Sequence, residues 1–180
     1  MDYITIEMLH AYGGFTGPSN DDDMLLQHFI TAASAMVDSH CGRVFGIPTG
    51  AVATTRTFTI ANGLLQEGEA ALYFPDDVYT VTTIPTLTAG VTLTWMPDRP
   101  PYYGVIRSSG SWEDPTTIVA FWAYSESPPI VIQQATLRLA NWLSHQRESV
   151  MSMGETVNGP NLMPADIADT LAPYRRVRLP

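Results

Sequence analysis

Residues 20–45 read Asn-Asp-Asp-Asp-Met-Leu-Leu-Gln-His-Phe-Ile-Thr-Ala-Ala-Ser-Ala-Met-Val-Asp-Ser-His-Cys-Gly-Arg-Val-Phe, and this stretch decides the fold. Its apolar residues recur at the three- and four-residue spacing of one helical face. They are Leu25, Leu26, Phe29, Ile30, Ala33, Met36, Val37 and Cys41. Ser19 or Asn20 can cap the first turn, the aspartates suit the positive end of the helix dipole, and Gly42 can end the helix. We predict a central amphipathic helix from Asp21 to Cys41.

The opposite face of this helix carries small residues, whereas an ordinary solvated face more often carries Lys and Glu. They are Thr31, Ala32, Ser34, Ala35, Asp38 and Ser39. Either the helix is buried on two sides within its own domain, or this face packs on a neighbouring subunit. On the second interpretation, Ala32, Ala35 and Asp38 are the candidates for subunit contact.

Three further helices are predicted around the central one, over residues 4–13, 129–148 and 164–172. Thr5 can cap the first of them, although Tyr3 to Ile6 alone could form a strand. The second begins after Pro128-Pro129, which the first turn of a helix tolerates. Residues 148–163 contain glycines and a proline without a sustained period, so we predict a loop that could order on binding a partner.

Residues 53–124 have the texture of strands and turns, because they are rich in Thr, Val, Ile and aromatic residues cut by Gly, Pro and Asp. The predicted strands are residues 56–60, 71–74, 78–84, 91–95, 104–107 and 118–124. Asp76 and Asp77 are assigned to a turn between the second and third strands. The connections are too short for crossover helices, so these strands should form an antiparallel sheet or a small barrel.

The predicted fold class is therefore α+β. A small helical bundle combines a short N-terminal helix, the central helix, a late helix and a short C-terminal helix, and an antiparallel β insertion interrupts it. We expect a single domain over residues 1–180, with helical parts 1–45 and 127–180 and a β insertion of about 53–124.

The chain is acidic, with 18 Asp and Glu against nine basic residues, all of them arginine, and a net charge of −9. This balance argues against a protein that wraps nucleic acid. It allows a protein that stands near DNA, because an acidic wall repels phosphate and lets a duplex slide past. Three arginines lie close to the C-terminus, at Arg175, Arg176 and Arg178, and give the acidic chain a basic tip.

The sequence offers no catalytic, metal-binding or cofactor-binding signature. Cys41 is the only cysteine, the histidines lack ligand spacing, and Asp21 to Asp23 lack the alternating oxygens and glycine of a calcium loop. No phosphate-binding or nucleophile motif is present. No apolar run approaches 18 residues and the N-terminus has no signal-peptide pattern, so we expect a protein made in the cytosol and not inserted in a membrane.

The aromatic residues of the β region support an alternative function. Trp95, Tyr102, Tyr103, Trp112, Phe121, Trp122 and Tyr124 could form a platform for carbohydrate or a nucleobase, although packing within the sheet is the default role of such rings. On this alternative the chain is a β-rich binding module for carbohydrate or a host surface.

The order of elements resembles the head-tail connector family of tailed bacteriophages, also called adaptor or head-completion proteins. The resemblance is carried by the opening Tyr3-Ile-Thr, the central helix ending in Cys41-Gly-Arg-Val-Phe45, Pro128-Pro129 before the late helix, and the closing Leu171-Ala-Pro-Tyr-Arg-Arg-Val177. It covers residues 1–45 and 127–180. The β region exceeds what the minimal helical members carry.

This resemblance implies a structural protein of the virion neck, made in the host cytoplasm and without enzymatic activity. It implies a dodecameric ring beneath the portal protein, whose other end receives the next neck or tail-completion protein. DNA would pass through the lumen without specific binding. The residues expected to dock on the portal are Asp166, Tyr174, Arg175, Arg176 and Arg178.

Overall fold

The computed structural model describes residues 1–13, 20–85, 87, 90–153 and 163–176. The chain forms two compact units, a helical unit of Met1–Gly42 with Pro128–Pro180 and a β unit of Arg43–Ser127. Within the described residues, four helices and two antiparallel three-stranded sheets confirm the predicted α+β class. The expected single domain over the whole chain stays a prediction.

The helical unit contains α1 (Ile6–Gly13), α2 (Asn20–Cys41), α3 (Ile130–Met153) and α4 (Ala165–Leu171), followed by a 3₁₀ turn at Ala172–Tyr174. The two long helices, α2 and α3, pack against each other, and each also contacts α1 and α4. Their buried side chains form the core of the unit. These include Leu9, Ile30, Val37, Ile132, Leu139 and Leu171.

Three hydroxyl side chains are buried in this core and bond back to their own helices. Ser34 Oγ donates to the carbonyl of Ile30 at 2.9 Å, Thr136 Oγ1 to that of Ile132 at 2.8 Å, and Ser144 Oγ to that of Asn141 at 2.7 Å. A buried hydroxyl without a partner is costly, and in each case a carbonyl of the same helix accepts the hydrogen bond from the hydroxyl and removes that cost.

The helix ends follow local rules that the sequence predicts. Thr5 Oγ1 accepts from the backbone N–H of Met8 at 3.4 Å, which caps α1 as expected. Gly42 adopts a φ of 63° directly after α2, a conformation that glycine reaches at little cost. Pro164 stands before α4, and its carbonyl accepts from Ile167 and Ala168 at 3.0 Å.

The helix α3 continues to Met153, so the loop predicted from residue 148 begins later than expected. Once a helix has formed, each further hydrogen bond requires only one more residue to be ordered. Residues 148–153 contain neither Gly nor Pro, so nothing in them stops the helix. The rest of the predicted loop, residues 154–162, lies outside the described residues.

The β unit contains β1 (Thr54–Phe58), β2 (Ala71–Val78), β3 (Thr80–Thr83), β4 (Leu93–Met96), β5 (Tyr102–Arg107) and β6 (Thr116–Phe121). One sheet has the order β1–β6–β3 and the other β2–β5–β4, and neighbouring strands are antiparallel throughout. Both sheets contribute to one apolar core. It includes Phe58, Ile118 and Ala120 from the first sheet and Leu72, Phe74 and Val105 from the second.

The assignment of Asp76 and Asp77 to a turn is wrong, because β2 runs through them to Val78. Tyr73 is paired with Gly104 whereas Val78 is paired with Tyr102, so the intervening residues of β2 bulge away from β5. A proline, Pro75, lies within this bulge, where its missing N–H costs no ladder hydrogen bond.

The two ends of the β unit lie side by side. The N–H of Tyr124 donates to the carbonyl of Val44 at 2.7 Å, and the N–H of Ile47 donates to that of Glu126 at 3.0 Å. Ser125 Oγ donates to the carbonyl of Phe45 at 2.8 Å. The chain therefore enters and leaves the β unit at one place, as expected of an insertion.

Candidate assembly surfaces

The exposed face of α2 carries no charged side chain between Met24 and Gly42. Its exposed residues are Met24, Gln27, His28, Thr31, Ala32, Ala35 and Ser39. Ala32 and Ala35, two of the predicted subunit-contact residues, lie on this face. Ser34 was grouped with them from the sequence but is buried, since it is only 2% exposed. We call these exposed residues of α2 the uncharged strip; the carboxylate of Asp2, from the N-terminal segment, accepts hydrogen bonds from Gln27 and Thr31 at its edge.

The N-terminal segment occupies the edge of this strip. The N–H of Tyr3 donates to Ser34 Oγ at 3.2 Å, and the Tyr3 hydroxyl donates to the carboxylate of Asp38. Asp2 accepts from Gln27 Nε2 at 2.6 Å. Tyr3 and Ile4 are buried, so this segment is part of the packed unit. No local sequence pattern predicts these contacts, which join residues 25 to 35 positions apart.

Asp38, the third predicted subunit-contact residue, is half-buried. Burial raises the pKa of its carboxyl group, and the hydrogen bond from Tyr3 acts in the opposite direction. Its carboxylate therefore already has a partner within its own chain. A role of Asp38 in subunit contact stays a prediction.

The described part of the predicted portal-docking set lies in and after α4. Asp166 is exposed and forms an ion pair with Arg138 of α3. Tyr174 is half-buried in the 3₁₀ turn, and Arg175 is exposed directly after it. Arg178 lies outside the described residues. The structure thus places Asp166 in the first turn of α4, Tyr174 at the end of the 3₁₀ turn that follows this helix, and Arg175 directly after it.

This C-terminal segment is anchored at the end of α2. The N–H of Arg176 donates to the carbonyl of Cys41 at 2.8 Å, and a Cβ placed on Gly42 would lie only 3.8 Å from Cβ of Arg176. The carbonyl end of a helix carries partial negative charge, which favours arginine there. The position of Arg175 and Arg176 is therefore fixed by the helical unit.

Two arginines hold the bulge of β2 in the β unit. Arg43 Nη1 lies 3.1 Å from the carboxylate of Asp77, and its guanidinium lies 5.3 Å from the ring centre of Tyr124. Arg56 pairs with Asp76, and its guanidinium lies 4.1 Å from the ring centre of Trp122. Each arginine thus bonds a carboxylate and covers an aromatic ring. We call these two groups the arginine clasp.

Most of the aromatic residues considered for a binding platform pack inside the β unit. Trp112 is buried and its Nε1 donates to the carbonyl of Ala70 at 2.8 Å, and Trp122 Nε1 donates to that of Thr54 at 3.0 Å. The rings of Trp95 and Tyr102 lie 5.2 Å apart. Of the seven residues, Tyr103 has an exposed side chain, at 44%. The default role of sheet packing therefore describes most of the set.

Within the described ranges, no group of three or more His, Cys, Asp or Glu residues is placed to hold a metal ion. No helix of the described chain is both long and apolar enough to span a lipid bilayer. Cys41 is buried at the end of α2, as predicted for a small apolar side chain.

The fold is similar to that of a chain from the neck of an empty gene transfer agent (GTA) particle, a structure computed with C6 symmetry. The two chains superpose with a TM-score of 0.62 at 14% sequence identity. The match covers 98% of this chain and 91% of the neck chain. No protein-family model and no curated protein sequence matches. At this identity the similarity establishes the shared fold, over both the helical unit and the β unit.

Proposed function

We propose that this protein is a structural component of the neck of a phage-like particle. It forms a ring beneath the portal, joins the head to the tail, and leaves a channel through which DNA passes. The observation that carries the proposal is the shared fold with a neck chain over nearly the full length of both proteins. The protein has no enzymatic role in this proposal and resides in the virion neck.

The six-fold symmetry of the neck particle supports a ring for this chain too. Twelve subunits, as the resemblance to head-tail connectors implies, are compatible with that symmetry because twelve is a multiple of six. A closed ring requires two different surfaces of each subunit to meet. We propose the uncharged strip of α2, with Ala32 and Ala35, as one of these surfaces and Asp38 at its edge.

The segment from Asp166 to Arg178 is proposed as the portal-docking surface. Its support is the fixed placement of Arg175 and Arg176 at the end of α2 and their charge, which suits an acidic partner surface. The net charge of −9 supports a lumen that DNA passes without sticking.

Imaging of particles that contain the protein tests the proposal. We expect a ring between the portal vertex and the tail, with density for the helical unit and the β unit in each subunit. Absence of the protein from purified particles, or a position outside the neck, would show the proposal to be wrong.

The docking surface is best tested by a charge reversal at Arg175. Removal of residues 164–180 would also remove Ile167 and Leu171, which are buried in the helical unit, so its effect would mix docking with folding. Arg175→Glu changes an exposed side chain. We expect rings that form in solution but do not bind the portal, and normal portal binding would contradict the docking role of Arg175.

A further inference from the structure

The connection between β1 and β2 forms a rigid turn at one end of the β unit. Asn62 Oδ1 accepts from the backbone N–H of Thr59 and of Leu64, both at 3.1 Å, and Asn62 Nδ2 donates to the carbonyl of Thr57 at 3.3 Å. Thr59 Oγ1 accepts in return from the N–H of Asn62 at 3.1 Å. These bonds fix the turn before any partner arrives, which lowers the entropy cost of binding.

This turn presents two apolar side chains to solvent. Ile60 is 42% exposed and Leu64 is 36% exposed, whereas the next residue, Leu65, is 3% exposed and belongs to the core. The turn therefore has its own anchor in the core at Leu65, whereas Ile60 and Leu64 each leave more than a third of their surface exposed to solvent. Both side chains belong to the turn that Asn62 holds in place, so they offer a protein partner an apolar contact on a preorganised backbone.

Acidic side chains lie at the same end of the β unit as Ile60 and Leu64. The connection between β5 and β6 meets the turn, since the N–H of Ile60 donates to Asp114 Oδ1 at 3.4 Å and the N–H of Trp112 donates to the carbonyl of Glu69 at 3.4 Å. The exposed carboxylates at this end are Glu67, Glu69, Glu113 and Asp114. Together with Ile60 and Leu64 they define what we call the turn-end surface.

Among the described residues, the arginines of the β unit form no ion pair with the four carboxylates of the turn-end surface. Arg43 and Arg56 belong to the clasp, and Arg99 lies in the connection between β4 and β5, beyond the other end of β5. Arg107 is 7% exposed and donates to the carbonyl of Ser111. Along the described chain, no ion pair involves the four carboxylates of the turn-end surface, so a basic partner surface would complement their charge.

We infer that the turn-end surface is the docking site for a protein partner with an apolar centre and a basic rim. Under the proposed function, on which this inference rests, that partner is the next protein of the neck. DNA is disfavoured as the occupant because its phosphates would meet four carboxylates. Under the same proposed function, the portal binds the C-terminal segment, which belongs to the helical unit. Ile60 and Leu64 fill the centre of the contact, and the carboxylates set its orientation and speed its formation.

Particles assembled with variant protein test the inference. One variant, Ile60→Ser with Leu64→Ser, removes the apolar centre, and another, Glu69→Lys with Glu113→Lys, reverses the charge at two of the four carboxylates. The matched controls are Val52→Ser, at a position 78% exposed before β1, and Asp98→Lys, in the connection between β4 and β5. Both controls lie at the other ends of the same strands. The readout is the fraction of heads that carry the ring and the fraction that carry a tail.

We expect all four variants to place the ring on heads. Both turn-end variants should lower the fraction of tailed heads about tenfold, while both controls leave it unchanged. Normal tail joining with the two turn-end variants would overturn the inference, and so would loss of the ring from the heads. Absence of the wild-type protein from the neck would instead overturn the proposed function, so the two failures are distinguishable.

Discussion

Asp77 and Arg43 form an ion pair that is largely buried in the β unit. The side chain of Asp77 is 6% exposed and that of Arg43 is 18% exposed. Removal of one partner from such a pair leaves the other charge poorly solvated. We expect Asp77→Ala to lower the free energy of unfolding by about 3 kcal/mol. Asp166→Ala breaks the exposed pair with Arg138 and should cost less than about 1 kcal/mol. Denaturant titrations measure both, and equal costs would contradict the structural role of the clasp.

The clasp could not be predicted from the sequence. Arg43 and Asp77 are 34 positions apart and Arg56 and Asp76 are 20 apart, so no local pattern joins them. Proline and aspartate favour turns, so the local sequence Pro75-Asp76-Asp77 predicts one. The paired strand β5 overrides that preference and makes the same residues a bulge, which brings both carboxylates to their arginines.

Asp38 gives the fold a pH dependence whose sign follows from its environment. Burial raises the pKa of Asp38 in the folded protein above the ordinary value of 3.8. The folded state then holds a proton that the unfolded chain has lost, so this group's contribution to stability falls as pH rises upward from that value. Asp38→Asn keeps an acceptor for Tyr3 and does not ionise. We therefore expect the stability of Asp38→Asn, relative to the wild type, to increase with pH across this range.

Thermal unfolding of both proteins at a series of pH values measures this difference. Tyr3→Phe is the informative control, because the hydrogen bond from Tyr3 lowers the pKa of Asp38. Without this bond the pKa of Asp38 should be higher, so the pH-dependent loss of stability should extend to higher pH. A relative stability of Asp38→Asn that declines with pH would show that the charged form of Asp38 is favoured in the folded state.

At the level of elements, we predict that the two faces of α2 serve different purposes, one the folding of the helical unit and the other ring assembly. Ala33 is fully buried, whereas Ala35 is exposed on the uncharged strip. We expect Ala35→Glu to leave the helical unit folded and to weaken ring formation, because it places a charge on the surface that we propose as the contact with a second subunit. Gln134→Glu, at an exposed position of α3, is the charge-matched control and should leave both unchanged. Circular dichroism reports folding and native mass spectrometry reports the ring.

A misfolded Ala35→Glu protein would instead mean that the strip is covered within its own chain. Ala33→Glu supplies the reference for that outcome, because a glutamate at a fully buried position has no solvent and should prevent folding.

The long elements were predictable because their periodicity extends over many residues. The apolar spacing of α2 gives its limits to within one residue, and that of α3 gives its start. The short strands were found in number and order, but their ends shift by a few residues, since the pairing partner decides where a strand stops. The division of the strands into two sheets could not be predicted, because the strand order depends on contacts between residues distant in sequence.

Some of the candidate assembly surfaces could be predicted from the sequence and others could not, again because of the sequence distance between their residues. Exposure of Ala35 follows from helix periodicity, and that of Arg175 from its position after Pro173. The turn-end surface combines the β1–β2 and β5–β6 connections, which are about 50 residues apart, and only the folded β unit brings them together. Surfaces on a single helix are therefore readable from sequence, whereas surfaces shared by loops are not.

For the whole molecule, each of the two units has its own core. We therefore predict that a core substitution lowers the stability of the unit that contains it and leaves the other unit unchanged. Val105 is fully buried in the β unit, as Leu139 is in the helical unit. Three of the four tryptophans, Trp95, Trp112 and Trp122, lie in the β unit, while the long helices lie in the helical unit. Fluorescence therefore follows mainly the β unit, and circular dichroism at 222 nm follows mainly the helices.

We expect Val105→Ala to shift the fluorescence transition to lower denaturant and to leave the dichroism transition near its wild-type midpoint. Leu139→Ala should do the reverse. Each substitution leaves a cavity and should cost its own unit about 2 kcal/mol or more. If either substitution shifts both transitions equally, the chain unfolds as one cooperative unit. Such a result would support the single connector domain expected from the sequence, and it would mean that the β unit shares in the stability of the helical unit.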